Sequence, residues 1–438
     1  VESEENSAVS ALPPVLPVEP RGPLDADVRV PGSKSITNRA LLIAALADGE
    51  SRLTGCLASD DTRVMCEALE ALGAGIETGE REEDFWRVWG TGARLQTPAH
   101  PLDVANSGTS ARFLTAACTL CLEPVVIDGS PRMRERPIGD LTRALAQLGA
   151  RVEVLGEGDC PPVRVLGGGL PGGEAVVDAR QSSQYVSAIL LAAPYAQHDV
   201  RLRFVEGRLT SRPYVDLTLE VMRSFGAEAG WTESGTIEVR VRRPYVARDY
   251  AVEPDASSAV YPFCAAAIAG GSVRVQGVPE RSLQPDFGVL ALLEKMGCTV
   301  VRRGTSVELR GPERRLHSLG QVDMNAMPDA ALAYAVVALF ADRPTRITNV
   351  GNLRIKESDR LAALEAELRR LGARAEAGLD WIQIAPGPLH GAEIRTYDDH
   401  RMAMAFSLAG LRIPGVVIRE PACVSKTWPN YFEVFGRL

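Results

Sequence analysis

Lys34, Ser35 and Arg39 stand together in the stretch Pro31-Gly-Ser-Lys-Ser-Ile-Thr-Asn-Arg39, directly ahead of the apolar run ALLIAALA. Four comparable polar groups precede other apolar runs: Asn106-Ser-Gly-Thr109, Ser182-Ser-Gln184, Pro328-Asp329 and Asp399-His400-Arg401. If each apolar run is a helix, these residues sit where free backbone N–H groups and the helix dipole favour negative charge. One exposed terminus contributes only about 0.3–1 kcal/mol, so any of them alone reads as an ordinary cap. Several in one cleft, with lysines and arginines added, make a strong site for anionic ligands.

Single motifs are ambiguous. Lys34-Ser35 resembles the end of a phosphate-binding GxxxxGK[ST] loop, but Ser33 stands where that loop needs glycine. The segments Pro131-Arg-Met-Arg-Glu-Arg-Pro137 and Lys356-Glu-Ser-Asp-Arg360 pass individually for a charged loop and a helix start. His400 alone reads more readily as a capping or core histidine than as a catalyst. Their joint occurrence in one register of a repeat favours chemistry. No His, Cys and carboxylate cluster has metal-ligand spacing, so no metal and no cofactor is expected.

The elements behind these residues recur. A helix-like stretch closed by glycine and followed by a strand-like stretch appears with its glycine at Gly73, Gly149, Gly226, Gly297 and Gly372, separated by 76, 77, 71 and 75 residues. A glycine just past a helix supplies the left-handed conformation that ends it. A sixth such helix is expected to end near Gly436. A second helix class, apolar all round and therefore buried, starts near Ser35, Ser107, Ser182, Asp255, Asp329 and Asp399, at intervals of 70 to 75 residues. The 438 residues thus divide into six units of about 73. Six buried helices exceed one core, which predicts two domains of three units.

Composition is compatible with this reading. The net charge of −8 argues against a general binder of nucleic acid or anionic membrane. The longest apolar run, Ala330 to Ala341, has 12 residues, short of the roughly 20 that span a bilayer. The acidic opening VESEENSAVSALPP has neither the basic, apolar make-up of a secretory signal nor the arginines of a transit peptide, so residues 1–14 are expected to be a disordered tail. Cys118 and Cys121 form the one CxxC and read as two core residues a helical turn apart. A cytoplasmic monomer is expected.

Taken together, PGSKSITNRALLIAALA, NSGTSARFL, GSPRMRERPIGDL, SSQYVSAIL, SRPYVDLTL, MPDAALAYA, NLRIKESDRL, TYDDHRMAMAFSL and SKTWPNYFEVF closely resemble the 5-enolpyruvylshikimate-3-phosphate synthase family, from about residue 28 to the end. The resemblance implies an α/β fold of two similar domains, each of three βαβαββ units in an inside-out α/β barrel, with the active site in the interdomain cleft. It also implies crossings near Gly32 and Glu253, giving an N-terminal domain of 33–252 and a C-terminal domain of 15–32 plus 253–438. The family transfers the carboxyvinyl group of phosphoenolpyruvate to the 5-hydroxyl of shikimate 3-phosphate and is the target of glyphosate.

By motif, Lys34, Ser35, Arg39, Ser182, Ser183, Gln184, Ser211, Tyr214, Asp329, Asn352 and Lys356 correspond to shikimate 3-phosphate contacts. Lys34, Asn106, Gly108, Arg132, Gln184, Arg360, His400, Arg401 and Lys426 correspond to phosphoenolpyruvate contacts. Asp329, Glu357 and Lys34 are the implied catalytic residues, as base, acid and proton-transfer aid. The chain departs from the family at Ala105, commonly glycine, and at Phe113, often proline. UDP-N-acetylglucosamine enolpyruvyl transferases share fold and donor, but have Lys-Asn at the Lys34-Ser35 position, use a loop cysteine and lack PRMRERP. A silent anion-binding scaffold would not need Lys34, Asp329 and Glu357 together.

Overall fold

The structure, a computed structural model, describes residues 12–79, 85–241, 244–279 and 281–438. Two separate hydrophobic cores form. The first is built from buried side chains between Ile36 and Val252. The second joins Val18, Leu24, Val28 and Val30 to residues between Ala259 and Phe435. Three helices fill the centre of each: Lys34–Leu46, Gly108–Ala117 and Gln184–Ala192 in the first, Ala256–Ala269, Ala331–Ala338 and His400–Gly410 in the second. They are buried on every face because small and apolar residues surround them, leaving no polar stripe for water.

Each unit lays a small sheet outside its buried helix. In the second, third and fifth units the order is βαβαββ: two parallel strands joined through the buried helix, then a hairpin reached through the outer helix. The first and fourth units lack a leading strand of their own. Asp249–Ala251, which follows the third unit, pairs parallel with Asp48–Thr54 of the first. Leu24–Arg29 pairs parallel with Gly271–Gln276 of the fourth. In the sixth unit Val15–Val18 pairs antiparallel with Val416–Arg419. The chain must therefore cross between the cores twice. The crossings run side by side, with Gly32 bridged to Pro254, Ser33 N–H donating to Glu253 O at 2.8 Å and Asp255 N–H to Pro31 O at 2.8 Å. A Cβ at Gly32 would lie 1.8 Å from Gly55 O, so only glycine fits this crossing. Among the described residues the six sheets stay open and separate; none closes into a barrel.

Residues 12–14 of the expected tail are ordered. Leu12 packs on the second core and Pro14 O accepts a 2.7 Å bond from Glu420 N–H; residues 1–11 lie outside the described ones. Gly73, Gly149, Gly226, Gly297 and Gly372 all have positive φ, from +84° to +107°. Gly436 does not: its φ is −64°, because the last unit ends in a short helix, Tyr431–Phe435, packed among Tyr261, Trp428 and its own aromatic rings. Gly372→Ala would strain the backbone and put a Cβ 2.5 Å from Pro388 O; we expect it to lose about 1–3 kcal/mol. Gly436→Ala is expected to stay within about 0.5 kcal/mol. Urea unfolding midpoints of the two variants check this contrast.

Candidate active site

The cleft lies where the buried helices of both cores begin. Ser107, Asp255 and Asp399 cap their helices through side-chain oxygens, as expected from sequence. The other three starts differ. Ser33 caps the first helix without a side-chain bond, placing Lys34 and Ser35 in its first turn. Ser183 precedes Gln184–Ala192. Asp329 sits in a 3-10 turn, Pro328–Ala330, ahead of its helix. In these positions the side chains are not consumed as caps and face the cleft.

Two adjoining pockets result. The outer one is lined by all the residues matched to shikimate 3-phosphate: Lys34, Ser35, Arg39, Ser182, Ser183, Gln184, Ser211 and Tyr214 from the first core's side, Asp329, Asn352 and Lys356 from the second. Arg39 is held rigidly. Its guanidinium donates to Thr218 Oγ1 (2.8 Å), Ser35 O (2.7 Å), Ser187 Oγ and Tyr214 O, and lies over the Phe113 ring. Ser211 adopts φ +53° and is fixed across the cleft, its N–H and hydroxyl both bonding Asn325. The Tyr214 hydroxyl donates to Asp286 at 3.0 Å. Asp286 is pushed up to about 6 by burial and by the nearby Asp329 charge.

The inner pocket is lined by Lys34, Asp61, Gly108, Thr109, Arg136, Gln184, Asp329, Lys356, Glu357, Arg360 and Arg401. Its charges are interlocked. Arg360, 1% exposed, reaches Asp399 (2.7 Å), Asp329 (3.2 Å) and Glu357 (2.8 Å). Arg401 holds the other Asp329 oxygen at 2.9 Å. Asp61 bridges Lys34 (3.1 Å) and Lys426 (2.7 Å). Six cations, Lys34, Arg136, Lys356, Arg360, Arg401 and Lys426, thus face four carboxylates, Asp61, Asp329, Glu357 and Asp399, a surplus of two positive charges inside a protein of net charge −8. Such a surplus, withdrawn from solvent, attracts dianions.

Burial opposes ionisation of Asp329, but Arg401, Lys356 and Arg360 outweigh it and hold the carboxyl well below its usual range. Glu357 is likewise held well below, burial being overcome by Arg360, Arg136 and Lys426. Burial lowers Lys356. Burial, with Arg401 beside it, keeps His400 neutral, and among the described residues neither ring nitrogen makes a hydrogen bond, Nδ1 lying 3.8 Å from an Asp399 oxygen.

Lys34, Gly108, Gln184, Arg360 and Arg401, matched to phosphoenolpyruvate, line the inner pocket. Asn106 and Lys426 stand behind it: Asn106 O and Oδ1 accept from Arg136 at 2.9 and 3.1 Å, and Lys426 donates to Asn106 O at 3.0 Å. His400 is buried and does not line it. Arg132 is a correction. Its guanidinium turns away to the backbone carbonyls of Lys356 and Arg354, while Arg136 enters the pocket. The 3-10 turn Met133–Glu135 buries Met133 and sends Arg134 to Asp128; Arg136, extended ahead of Pro137, then points inward. The extended conformation before proline was the available signal. Asp61 was also missed; next to exposed Asp60 in the first turn of its helix, it carried no local signal.

Of the two departures from the family pattern, Phe113 lines the outer pocket and Ala105 directly precedes Asn106. Ala105 has φ +46°, a conformation glycine adopts without strain. Phe113, fully buried, supports Arg39. Cys118 and Cys121 are buried core residues with free thiols. Among the described residues no group of three or more His, Cys, Asp or Glu could hold a metal ion, and no helix is long and apolar enough to cross a membrane.

Comparison with known proteins gives one answer. The family pattern of EPSP synthase (3-phosphoshikimate 1-carboxyvinyltransferase) matches residues 18–435. The 3-phosphoshikimate 1-carboxyvinyltransferase of Serratia proteamaculans (strain 568) is 44% identical over 428 residues, 97% of this chain and 98% of the relative. That of Trichormus variabilis is 42% identical over 416 residues, 95% and 97% of the two chains. The crystal structure of EPSP synthase from Acinetobacter baumannii superposes with a TM-score of 0.80 at 28% identity, covering 97% of this chain and 98% of that one. The enolpyruvyl transferase NikO from Streptomyces tendae, 19% identical, shares the fold with a TM-score of 0.75. Matched almost from end to end in sequence and in fold, the chain belongs to the EPSP synthase (3-phosphoshikimate 1-carboxyvinyltransferase) family.

Proposed function

We propose that this protein transfers the carboxyvinyl group of phosphoenolpyruvate to the 5-hydroxyl of shikimate 3-phosphate and releases phosphate. The observation that carries the reading is the shared wall of the two pockets: Lys34, Thr109, Gln184, Asp329 and Lys356 line both. Two anionic ligands, one in each pocket, meet at that wall, beside a carboxylate base and two lysines. The family membership and the names of the relatives agree with it.

In the addition step the phosphoenolpyruvate methylene gains a proton and the 5-hydroxyl oxygen bonds to the adjacent carbon, losing its proton. In the elimination step the new methyl returns a proton and the C–O bond to phosphate breaks. Asp329, ionised at the junction, takes the hydroxyl proton, and Glu357 serves the methylene. Glu357 is held ionised by Arg360 and Arg136 in the free protein. Anionic substrates compete for those guanidiniums and raise its proton affinity, so it becomes an acid when the site is filled. Arg136, Arg360 and Arg401, preorganised by Asn106, Asp399 and Asp329, stabilise the tetrahedral phosphate intermediate. Lys34 neutralises charge at the junction. Neutral His400 borders the machinery without a proton to spare.

The same reading takes the protein to work as a cytoplasmic monomer without metal or cofactor. The deciding measurement is phosphate release from phosphoenolpyruvate with each acceptor. Release is expected with shikimate 3-phosphate, unaffected by a chelator, and not with UDP-N-acetylglucosamine. Equal turnover of the UDP sugar, or loss of activity on chelation, would refute the proposal.

A further inference from the structure

Arg132 leaves the pocket and reaches the other domain. It stands at the start of the 3-10 turn Met133–Glu135, whose Met133 is buried in the first core. Its Nη1 pairs with Glu135 at 2.8 Å, which orients the guanidinium. Nε and Nη2 then donate to Lys356 O at 3.2 and 3.0 Å, and Nη2 also to Arg354 O at 3.3 Å. Arg354 O belongs to the 3-10 turn Gly351–Ile355, and Lys356 O to the short connection that leads from it to the helix Arg360–Arg370. Among the described residues neither carbonyl accepts a backbone hydrogen bond. This connection carries Lys356 and Glu357, both lining the inner pocket.

A planar guanidinium can grip two carbonyls at once, which an ammonium cannot do with the same geometry. Buried or half-buried carbonyls without a ladder partner need such a donor. We propose that Arg132 is a positioning residue: reaching across the cleft, it clamps the Arg354 and Lys356 carbonyls and thereby sets Lys356 and Glu357 in their working places. The clamp ties the first core's side of the cleft to the acid's side of the site. Its kinetic consequence rests on the proposed function; its structural consequence does not.

The test uses the fact that Arg354 O and Lys356 O are the carbonyls of two tryptic bonds. Freed backbone at such a connection is readily nicked. In the full chain, native-state trypsin cleavage after Arg354 and Lys356 is expected to run at least tenfold faster in Arg132→Ala than in wild type. Arg132→Lys is expected to fall between them. Arg134→Ala is the control, because among the described residues Arg134 pairs with Asp128 of its own domain and not across the cleft; cleavage at the two bonds should not change. At saturating shikimate 3-phosphate and phosphoenolpyruvate, Arg132→Ala is expected to lose roughly tenfold or more in kcat, with both KM values within about threefold and an unchanged melting temperature.

Unchanged cleavage at the two bonds would overturn the clamp. So would a selective rise in KM for phosphoenolpyruvate with kcat intact, which is the signature of a direct ligand contact, or a fall in kcat that merely follows a lower melting temperature. If the wild-type protein released no phosphate at all, the proposed function would fail while the cleavage rates still decided the clamp.

Discussion

Asp329→Asn is expected to lower kcat by about 10²–10⁴-fold, the range general acid–base catalysis contributes, while shikimate 3-phosphate still binds within about tenfold of wild type. The amide keeps the shape and the acceptor oxygen but cannot take the hydroxyl proton. Glu357→Gln is expected to fall in the same range, because the amide cannot protonate the methylene. The two variants differ in what they disturb. Asp329 is shared by Arg360 at 3.2 Å, Arg401 at 2.9 Å and Lys356 at 4.0 Å, so its loss leaves three cations less neutralised. Glu357 has one close partner, Arg360 at 2.8 Å. Asp329→Asn should therefore be the less stable protein.

The pH dependence of stability follows with a definite sign. Both carboxyls are held below their ordinary values in the folded chain. Each contributes stability that is present above the unfolded value, about 4, and is lost as pH falls through the folded one. Below about pH 4 the melting temperature of Asp329→Asn should fall less steeply than that of wild type. Turnover, binding by calorimetry and melting between pH 3 and 7 check the set. Near-wild-type turnover in either variant would remove that residue from its role.

Gly108→Ala is expected to raise the inhibition constant for glyphosate by about tenfold or more, and the KM for phosphoenolpyruvate by less. The wild-type protein is expected to be inhibited by glyphosate through the phosphoenolpyruvate position. Gly108 opens the helix Gly108–Ala117, and sequence alone suggested that a methyl there would project into the pocket. The structure supplies a nearer obstacle. The added Cβ would lie 2.4 Å from Arg136 Nη2 and 2.9 Å from Cζ. Arg136 cannot simply swing away, because Nη1 is bonded to both oxygens of Asn106 and the residue is 4% exposed. The alanine variant must displace the guanidinium that faces the pocket's anion. Glyphosate, the longer molecule, binds without the distortion that a reacting substrate undergoes, so it loses more. An inhibition constant unchanged by the substitution would mean Gly108 does not border the ligand.

The register of the repeat was legible because its signals are local. A left-handed glycine ends a helix by its own backbone geometry, and five of the six closing glycines show it. Apolar runs behind polar residues located the six buried helices, and with them Lys34, Ser35, Arg39, Ser182, Ser183, Gln184 and Asp329 of the outer pocket; Ser211, Tyr214, Asn352 and Lys356 stand away from those helix starts and were implied only by the family resemblance. Where the reading erred by a residue or two, the causes differ: Ser35 and Asp329 do not cap, whereas Ser182 accepts the Gln184 N–H at 3.2 Å from two residues ahead of the helix. Gly436 departed because aromatic packing, not a left-handed turn, ends the last unit.

Three features belong to the tertiary structure alone. The pairing of exchanged strands is one: the resemblance implied the two crossings, but only the structure shows Asp249–Ala251 completing the sheet of the first unit and Leu24–Arg29 that of the fourth, since a sheet edge is satisfied by any strand that reaches it. The choice between Arg132 and Arg136 is another, because both are arginines in one short loop, and the burial of Met133 decides which faces the anion and which the neighbouring domain. The last is the charge state of the two carboxylates proposed as base and acid. Sequence determined which residue types line the cleft; the ionisation of Asp329 depends on Arg401, brought to 2.9 Å from the next unit, and that of Glu357 on Arg136 and Lys426 from other units as well as on Arg360 three residues along, and Coulomb energy follows distance in space, not position along the chain.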